Sequence, residues 1–216
     1  RPHAGRRPPQ AYCGAAAKYG FIVAEDDPYR DLRYQGQRCR PSKATIRRAT
    51  WSIWAAFPSW SAPACAWATC SPMRSCCANA PSASREPDLH TPNLNQAIID
   101  QFLRRDLLDS HVQSIIPGYR EKLELMLEEL SSFPEGTRYT APEGGLFIFV
   151  EMPEGFDATA LFGEAVERGV AYVPGTHFYP DGGHHNTLRL NFSNSTPEQI
   201  HEGMGKLREL FAAHLG

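Results

Sequence analysis

One short stretch constrains the fold of this chain more than any other: an apolar run that ends abruptly in acidic residues. Residues 21–24 read Phe-Ile-Val-Ala, and residues 25–29 read Glu-Asp-Asp-Pro-Tyr. Such an apolar run is typical of a strand buried in a parallel sheet, and open α/β sheets bind ligands at the carboxyl ends of these strands. We therefore expect an α/β fold in which Asp26 and Tyr29 border a binding cleft. The alternative is a strand that ends in acid and turn residues without forming a site.

The bulk composition excludes several classes of protein. The chain has 216 residues, is 42% hydrophobic and carries a net charge of -2, which allows one or two domains with a sizeable core. This charge balance gives no field that would attract nucleic acid or a membrane surface. There is no apolar run of about eighteen residues and no apolar region after the basic residues 1–7, so neither a membrane span nor a signal peptide is expected. We expect a soluble cytoplasmic protein that binds neither nucleic acid nor membrane.

Cysteine and tryptophan are concentrated in one part of the chain. All six cysteines precede residue 88, and all four tryptophans lie within residues 51–67. Residues 42–86 show neither the helical period of 3.6 nor the alternation of a strand. A structureless loop of that length is uncommon in a compact domain, and tryptophan is atypical of a disordered linker. This placement does not favour a disulfide framework or a metal site, and we expect no metal.

We interpret residues 42–86 as a stretch that is read in a shifted frame. When residues 51–70 are back-translated and each codon is started one base earlier, the result permits Gly-Ser-Phe-Ser-Lys-x-x-x-Pro-Gly-x-Arg-x-Gly-Tyr. Two glycines are forced or nearly so by the genetic code, whereas the lysine, whose codon spans Pro58 and Ser59, is permitted. The alternative is a genuine insert.

The acidic strand end resembles that of a known enzyme family. Asp26-x-x-Tyr29 resembles the cofactor-binding strand end of class I/II (fold-type I) pyridoxal-phosphate aminotransferases, closest to the branch that holds 2-aminoadipate and aromatic aminotransferases and the aminotransferase-like halves of GntR-type regulators. The resemblance implies that Asp26 pairs with the protonated pyridine nitrogen and that Tyr29 hydrogen-bonds the ring's 3-oxygen. A carboxylate beside that nitrogen keeps the ring an electron sink. The shifted-frame peptide resembles the family's Schiff-base segment, so the expected lysine is absent at Pro58 and Ser59.

Two glycine motifs in the second half also resemble this family. Residues 137–141 and 144–150 predict two strands joined by a turn. The pattern Pro-x-Gly-Gly-x-Phe at residues 142–147 resembles a family motif, which implies that Gly145 passes close to the substrate; a plain hairpin is the alternative. Residues 174–178 read Pro-Gly-Thr-His-Phe and resemble the family's Pro-Gly-x-x-Phe turn at the active-site entrance.

A second informative strand is predicted at residues 187–193, which read Thr-Leu-Arg-Leu-Asn-Phe-Ser. Alternation places Arg189 and Asn191 on one face and Leu188 and Leu190 on the other. The matching family arginine binds the α-carboxylate of the substrate. A guanidinium suits this role because two parallel charge-assisted hydrogen bonds fix both position and orientation. The alternative is an exposed strand arginine.

Four further segments predict helices. Two apolar stripes at helical spacing indicate packing faces rather than a site. The first consists of Ile98, Ile99, Phe102, Leu103 and Leu107, and the second, after an interruption at Pro117, consists of Tyr119, Leu123, Leu127 and Leu130. Asp157 predicts the start of a helix that ends at Gly169, with a strand at residues 170–173. Thr196 and Gln199 predict a capping box for the last helix. That helix is expected to bury Ile200, Met204, Leu207, Leu210 and Phe211.

These motifs together predict the C-terminal portion of a fold-type I aminotransferase. Residues 1–90 would end the large cofactor-binding α/β domain, residues 91–109 would form a connecting helix, and residues 110–216 would form a small α+β domain. The resemblance implies pyridoxal 5'-phosphate as cofactor, an α-amino acid and a 2-oxo acid as substrates, and a homodimer. Without the Schiff-base lysine, we expect the chain as written to be inactive. The alternatives are an effector-sensing domain of a GntR-type transcriptional regulator and the product of a degraded gene.

Overall fold

A computed structural model describes two compact units, Arg1–Ser114 and Ile115–Gly216. The described residues are 18–19, 23–26, 29, 31–36, 51–57, 67–71 and 93–215. For the strands of the first unit, the description covers the backbone alone. In chain order the elements are β1 (Val23–Asp26), β2 (Trp51–Phe57), β3 (Trp67–Ser71), α1 (Asn93–Arg104), α2 (Leu108–Leu130), β4 (Arg138–Tyr139), β5 (Phe147–Glu151), α3 (Phe162–Glu167), β6 (Val173–Pro174), a 3₁₀ helix (Gly175–Phe178), β7 (Thr187–Asn191) and α4 (Pro197–Ala213).

The described strands of the first unit form a mixed sheet in the order β1-β2-β3. β1 runs parallel to β2, and β2 runs antiparallel to β3. The strand that was predicted at residues 21–24 extends as far as Asp26, because its backbone ladder with β2 continues past the last apolar residue and pairs Asp26 with Trp54.

β2 and β3 lie in the stretch where the sequence shows neither a helical nor a strand period, so periodicity did not indicate these two strands. β2 reads Trp-Ser-Ile-Trp-Ala-Ala-Phe, which lacks the polar and apolar alternation of a half-buried strand. Its aromatic and β-branched residues nevertheless favour extended backbone. The ladder between β2 and β3 runs from the pair Ile53 and Ser71 to the pair Phe57 and Trp67.

The apolar stripe of α1 is exposed more than the sequence predicts. Ile99 is buried, whereas Ile98, Leu103 and Leu107 are exposed. Core packing is confirmed for Ile99 but not for the three exposed side chains, whose packing at an interdomain surface stays a prediction.

α2 continues through Pro117, where the sequence predicts an interruption. Proline inside a helix removes one hydrogen bond and costs about 3 kcal/mol. Buried side chains recur on one face both before it, at Val112 and Ile116, and after it, at Leu123 and Met126. Burial of each such side chain contributes ~1.5–3 kcal/mol, so packing along one face outweighs the cost of the proline.

The second unit contains an antiparallel sheet in the order β4-β5-β7-β6. The alternation that was predicted for β7 is confirmed: Leu188 and Leu190 are buried, whereas Arg189 is half-buried and Asn191 exposed. The predicted strand at residues 170–173 is reduced to Val173–Pro174, which pairs with β7.

α4 follows β7 and forms much of the second unit's core. Its capping box is confirmed, because the Thr196 hydroxyl accepts from the Gln199 backbone and the Gln199 side chain accepts from the Thr196 backbone. The predicted buried stripe is also confirmed. Phe211 from this stripe makes ring contacts with Phe133, Phe156 and Tyr172.

α3 begins later than predicted. The Asp157 carboxylate accepts hydrogen bonds from the backbone N–H groups of Thr159 and Ala160, each at 2.9 Å, and thus caps a turn. The helix itself spans Phe162–Glu167, and the N-cap residue before it, Leu161, provides no side-chain cap.

A buried carboxylate connects α2 with α4. The Glu129 side chain is 11% exposed, its Oε1 lies 2.5 Å from Nδ1 of His201, and its Oε2 lies 3.5 Å from Nη1 of Arg208. A charge with so little access to water requires such partners. Within the described part of the chain, no helix has the length and apolar character needed to cross a membrane.

Candidate functional site

One face of the second unit's sheet carries aromatic side chains around Arg189. Phe147 and Phe149 are half-buried and alternate with the buried Ile148 and Val150 along β5. The register places Phe149 of β5 and Val173 of β6 on either side of Arg189. Because directly opposed residues in antiparallel strands share a face, this row places a guanidinium within an apolar surface.

The guanidinium of Arg189 lies over two phenylalanine rings. Its Cζ is 4.1 Å from the ring centroid of Phe147 and 4.7 Å from that of Phe178. Its Nε is buried and has no hydrogen-bond partner among the described residues. A buried donor without a partner costs ~1–3 kcal/mol. The arrangement therefore suits a ligand that brings an oxygen acceptor to the guanidinium.

A glycine fixes the position of Phe178. A Cβ on Gly175 would lie 1.9 Å from Oγ1 of Thr187 and 2.8 Å from its backbone carbonyl carbon. The Thr187 hydroxyl is held in place by a hydrogen bond, which it donates to the His184 carbonyl at 2.7 Å. The 3₁₀ helix therefore packs directly on β7, as only glycine permits, and this contact carries Phe178 to its place over Arg189.

The aromatic surface continues beyond Phe149. The Phe149 ring meets the ring of Phe178 edge-on at 6.1 Å and that of Tyr179 at 6.4 Å, and Tyr179 stacks on His184 at 3.9 Å. Burial raises the pKa of Tyr179, and the Glu151 and Asp181 carboxylates add to this effect.

The neighbouring histidines, His184 and His185, are both exposed. His185 Nδ1 lies 3.9 Å from the Asp157 carboxylate. Among the residues that the structure describes, no group of three or more His, Cys, Asp or Glu side chains is arranged to hold a metal.

The glycine pair before β5 has a conformational origin. Gly145 has a φ of 82°, which is in the left-handed region that favours glycine. A Cβ at this position would meet nothing within 4 Å, so the backbone conformation and not crowding calls for glycine. That Gly145 passes close to a substrate stays a prediction.

The predicted cofactor residues lie in the first unit. Asp26 is the last residue of β1 and so lies at the carboxyl end of a strand in a parallel pair. Tyr29 is half-buried, and its carbonyl accepts from the Leu32 N–H at 3.1 Å. The Asp26 side chain, Pro58 and Ser59 lie outside what the structure describes, so their predicted roles stay predictions.

A separate cavity of about 440 Å³ lies in the second unit. It is lined by residues of α4, by Met126, by residues 169–171, by Asn194 and Ser195, and by Leu190 and Asn191 at the end of β7. Leu190 is on the opposite strand face from Arg189. The lysine in its lining, Lys206, is paired with Glu202 at 2.6 Å. Its charge is thus already paired, and the Arg189 face remains the stronger candidate.

Sequence reasoning did not link Phe147 and Phe178 with Arg189. Both phenylalanines belong to motifs that were singled out for their glycines. The available signal was the alternation within each strand, which assigns Phe147 to one face of β5 and Arg189 to one face of β7. Only the register between β5 and β7 shows that these faces coincide.

Comparisons with known proteins identify the family. Residues 65–207 match the family model described as aminotransferase class I and II, and the chain belongs to this family. It is 36% identical over 199 residues to aromatic-amino-acid aminotransferase 1 of Thermococcus litoralis, which covers 90% of this chain and 47% of that protein. It is 35% identical over 193 residues to 2-aminoadipate transaminase of Thermus thermophilus, which covers 87% and 48%.

Solved structures of the same family have a closely similar fold. The multiple substrate aminotransferase from Thermococcus profundus superposes with a TM-score of 0.84 at 33% identity, over 96% of this chain and 52% of that one. The alpha-aminoadipate aminotransferase of Thermus thermophilus, complexed with N-(5'-phosphopyridoxyl)-L-leucine, gives 0.84 at 30% identity, over 96% and 54%. The expected fold-type I class is thus confirmed. The chain spans about half the length of the curated relatives that it matches.

Proposed function

We propose that this chain is the C-terminal portion of an aminotransferase that uses pyridoxal 5'-phosphate to move an amino group between an α-amino acid and a 2-oxo acid. The observation that carries the proposal is the Arg189 guanidinium, which lies over two rings with its buried Nε unpartnered among the described residues. A planar guanidinium in an apolar surface is suited to a carboxylate, which it binds through two parallel hydrogen bonds. Every α-amino acid and 2-oxo acid carries this group.

Each remaining site residue has a separate role in the proposal. Asp26, at the carboxyl end of β1, holds the proton on the ring nitrogen of the cofactor, and Tyr29 donates to its 3-oxygen. Gly145 leaves the backbone without a side chain where the substrate approaches. Bound pyridoxal phosphate supplies an electron sink for the electron pair left on the substrate's α-carbon. Arg189 holds the carboxylate and so orients that carbon.

The residues of this chain fit the cofactor only in part. A carboxylate and a phenol are available, but the lysine that would hold the cofactor and carry a proton is missing at Pro58 and Ser59. Two other lysines are engaged elsewhere: Lys122 donates to the Ser193 carbonyl at 3.0 Å, and Lys206 pairs with Glu202. We therefore infer that the chain as written is inactive.

The missing lysine has a proposed origin in the coding DNA. If residues 42–86 are read in a shifted frame, sequencing of that DNA should reveal a missing base before residue 51 and a compensating change before residue 88. An intact frame without either change would instead make this stretch a genuine insert. In that case the absence of the lysine would be a property of the protein.

The inactivity is tested with the purified chain and pyridoxal phosphate. After borohydride reduction, mass spectrometry should find no stoichiometric adduct on any lysine, and no amino acid should be turned over. A stable adduct at one lysine together with turnover would contradict the proposal. An active aminotransferase treated in the same way serves as the positive control.

One observation favours the alternative, an effector-sensing domain of a GntR-type transcriptional regulator. The chain keeps Asp26, Tyr29 and Arg189 while lacking the lysine, and binding without turnover suffices for a sensor. A winged-helix DNA-binding segment encoded upstream in the same gene would select this alternative. An upstream segment that completes a large aminotransferase domain would exclude it.

The proposal extends to assembly and location. We propose a homodimer in the cytoplasm that binds neither nucleic acid nor membrane. Sedimentation equilibrium of the purified chain tests the first part, and a monomer at all concentrations would contradict it for this chain.

A further inference from the structure

We propose that Phe147 and Phe178 are positioning residues that hold the guanidinium of Arg189 in one orientation for a carboxylate. The rings of Phe147 and Phe178 together form the aromatic clamp. The inference rests on the proposed function, in which Arg189 binds the substrate carboxylate. It adds a role for two side chains that contact the arginine rather than the reacting atoms.

The contacts are close enough to orient the guanidinium. Its Cζ lies 4.1 Å and 4.7 Å from the two ring centroids, well inside the ~6 Å within which a cation is attracted to a ring face. A guanidinium that lies over a ring keeps its N–H groups in the free plane, where they can meet both oxygens of a carboxylate. An arginine without ring contacts would lose side-chain conformational entropy when it binds a carboxylate. Because the two rings already restrict Arg189 in the free protein, binding costs less entropy.

Both rings are themselves fixed by the fold. Phe147 belongs to β5, whose backbone ladder with β7 pairs Phe147 with Asn191. Phe178 ends the 3₁₀ helix, which Gly175 presses against Thr187. The edge of the Phe149 ring meets Phe178 at an interplanar angle of 75° and supports it from the side. The clamp is therefore set by backbone geometry and does not depend on Arg189.

Substitutions of the two phenylalanines can distinguish an effect of the aromatic ring face from an effect of apolar volume. F147L and F178L keep apolar volume but remove the ring face, whereas F147Y and F178Y keep the face. F162L is a matched control, since Phe162 lies on α3 and makes its ring contact with Tyr172 at 5.5 Å. R189K identifies the Arg189 signal and retains a positive charge without the planar fork.

The test is nuclear magnetic resonance of the full 216-residue chain, with the Nε–H signal of Arg189 as the reporter. The first readout is the chemical shift without ligand, which ring currents from Phe147 and Phe178 should displace. The second is a titration with 3-phenylpropionate, which has a carboxylate but no amino group. 3-Phenylpropanol, which lacks the carboxylate, is the control ligand. The backbone spectrum of each variant verifies that it is folded.

We expect 3-phenylpropionate, but not 3-phenylpropanol, to move the Arg189 signal of the wild type. F147L and F178L should each lose part of the ring-current displacement. F147L should weaken 3-phenylpropionate binding by about tenfold, and F178L by about threefold, because the Phe178 ring is 44% exposed and cation–ring contacts at exposed sites are weaker. F147Y, F178Y and F162L should behave as the wild type does.

Two results would overturn the inference, and they differ in what else they refute. If the wild type binds 3-phenylpropionate through Arg189 and both leucine variants bind it equally well, the clamp has no positioning role, while the proposed function stands. If the Arg189 signal of the wild type does not respond to the carboxylate, the proposed role of Arg189 fails and the positioning role fails with it.

Discussion

Two strands of this molecule carry a candidate site residue, and they place it differently. Arg189 is the central residue of β7, so the pleat fixes the direction of its side chain and the neighbouring strands supply its surroundings. Asp26 is the last residue of β1, where the backbone ladder with β2 ends at the pair Asp26 and Trp54. The comparison teaches that a charge in the middle of a strand is supported by the register of the sheet. A residue at a strand end lacks this support on one side, because the ladder stops there.

If this view is correct, contacts inside the second unit alone should control the surroundings of Arg189. Three substitutions there test the comparison, and none of them should change the first unit.

The largest effect is expected for G175A. The new Cβ would collide with Thr187 at distances that real structures do not tolerate, so the 3₁₀ helix must move away from β7. Overpacking of this kind costs ~1–3 kcal/mol and occasionally more, and we expect about 3 kcal/mol here because one of the colliding atoms is backbone. Urea unfolding measures the loss.

G205A is the matched control for that experiment. Gly205 lies inside α4, and a Cβ there would meet nothing within 4 Å. Alanine should therefore stabilise the helix by about 0.5–1 kcal/mol. Equal stability of G175A and the wild type would show that the contact between the 3₁₀ helix and β7 does not support Phe178.

The second effect concerns Tyr172, which precedes β6. Its buried hydroxyl donates to the Ala158 carbonyl at 2.6 Å, so Y172F should cost about 1 kcal/mol at neutral pH. Burial raises the pKa of Tyr172 to about 12, and the Asp157 carboxylate adds to this. Because this value lies above the ordinary one of about 10, the contribution is fully present below pH ~10 and is lost as the pH rises to about 12.

The measurement for Tyr172 is the unfolding free energy of both proteins between pH 9 and 12. The difference between wild type and Y172F should shrink across this range. Y139F is the control, since Tyr139 is 38% exposed on β4 and its substitution should have little effect. If the difference in unfolding free energy between wild type and Y172F did not change with pH, the raised pKa of Tyr172 would not contribute to stability as proposed.

The smallest effect is expected for T196A, at the start of the helix that follows β7. It removes the hydroxyl that caps the Gln199 N–H at 3.3 Å and should cost ~1 kcal/mol. Thermal unfolding monitors the loss, and T196S, which retains the hydroxyl, should restore most of it. If T196A lost more unfolding free energy than G175A, the helix cap would contribute more to stability than the packing of Gly175 on β7, contrary to our expectation.

The parts of the fold that could be predicted are those in which local chemistry decides the outcome. The capping box of Thr196 and Gln199 and the alternation around Arg189 depend on residues a few positions apart. The fold class followed from short motifs in a fixed order. The continuity of α2 through Pro117 could not be predicted in this way, because it reflects burial on both sides of the proline.

The candidate site was predictable only as single residues. Arg189 could be selected from its strand pattern, but its contacts with Phe147 and Phe178 bring together positions 11 to 42 residues apart in the chain. Such contacts depend on strand register and on the collision that excludes any side chain at Gly175. β2 and β3 could not be predicted, because polar and apolar residues do not alternate in their sequences.

The carboxylate of Glu129, held between His201 and Arg208, has an evolutionary consequence. Loss of His201 or Arg208 would remove one of the two partners of a nearly buried carboxylate, and loss of the carboxylate would leave two basic side chains of α4 without their shared partner on α2. These three positions should therefore be inherited as a set, and descendants that replace one of them should carry a compensating replacement at another.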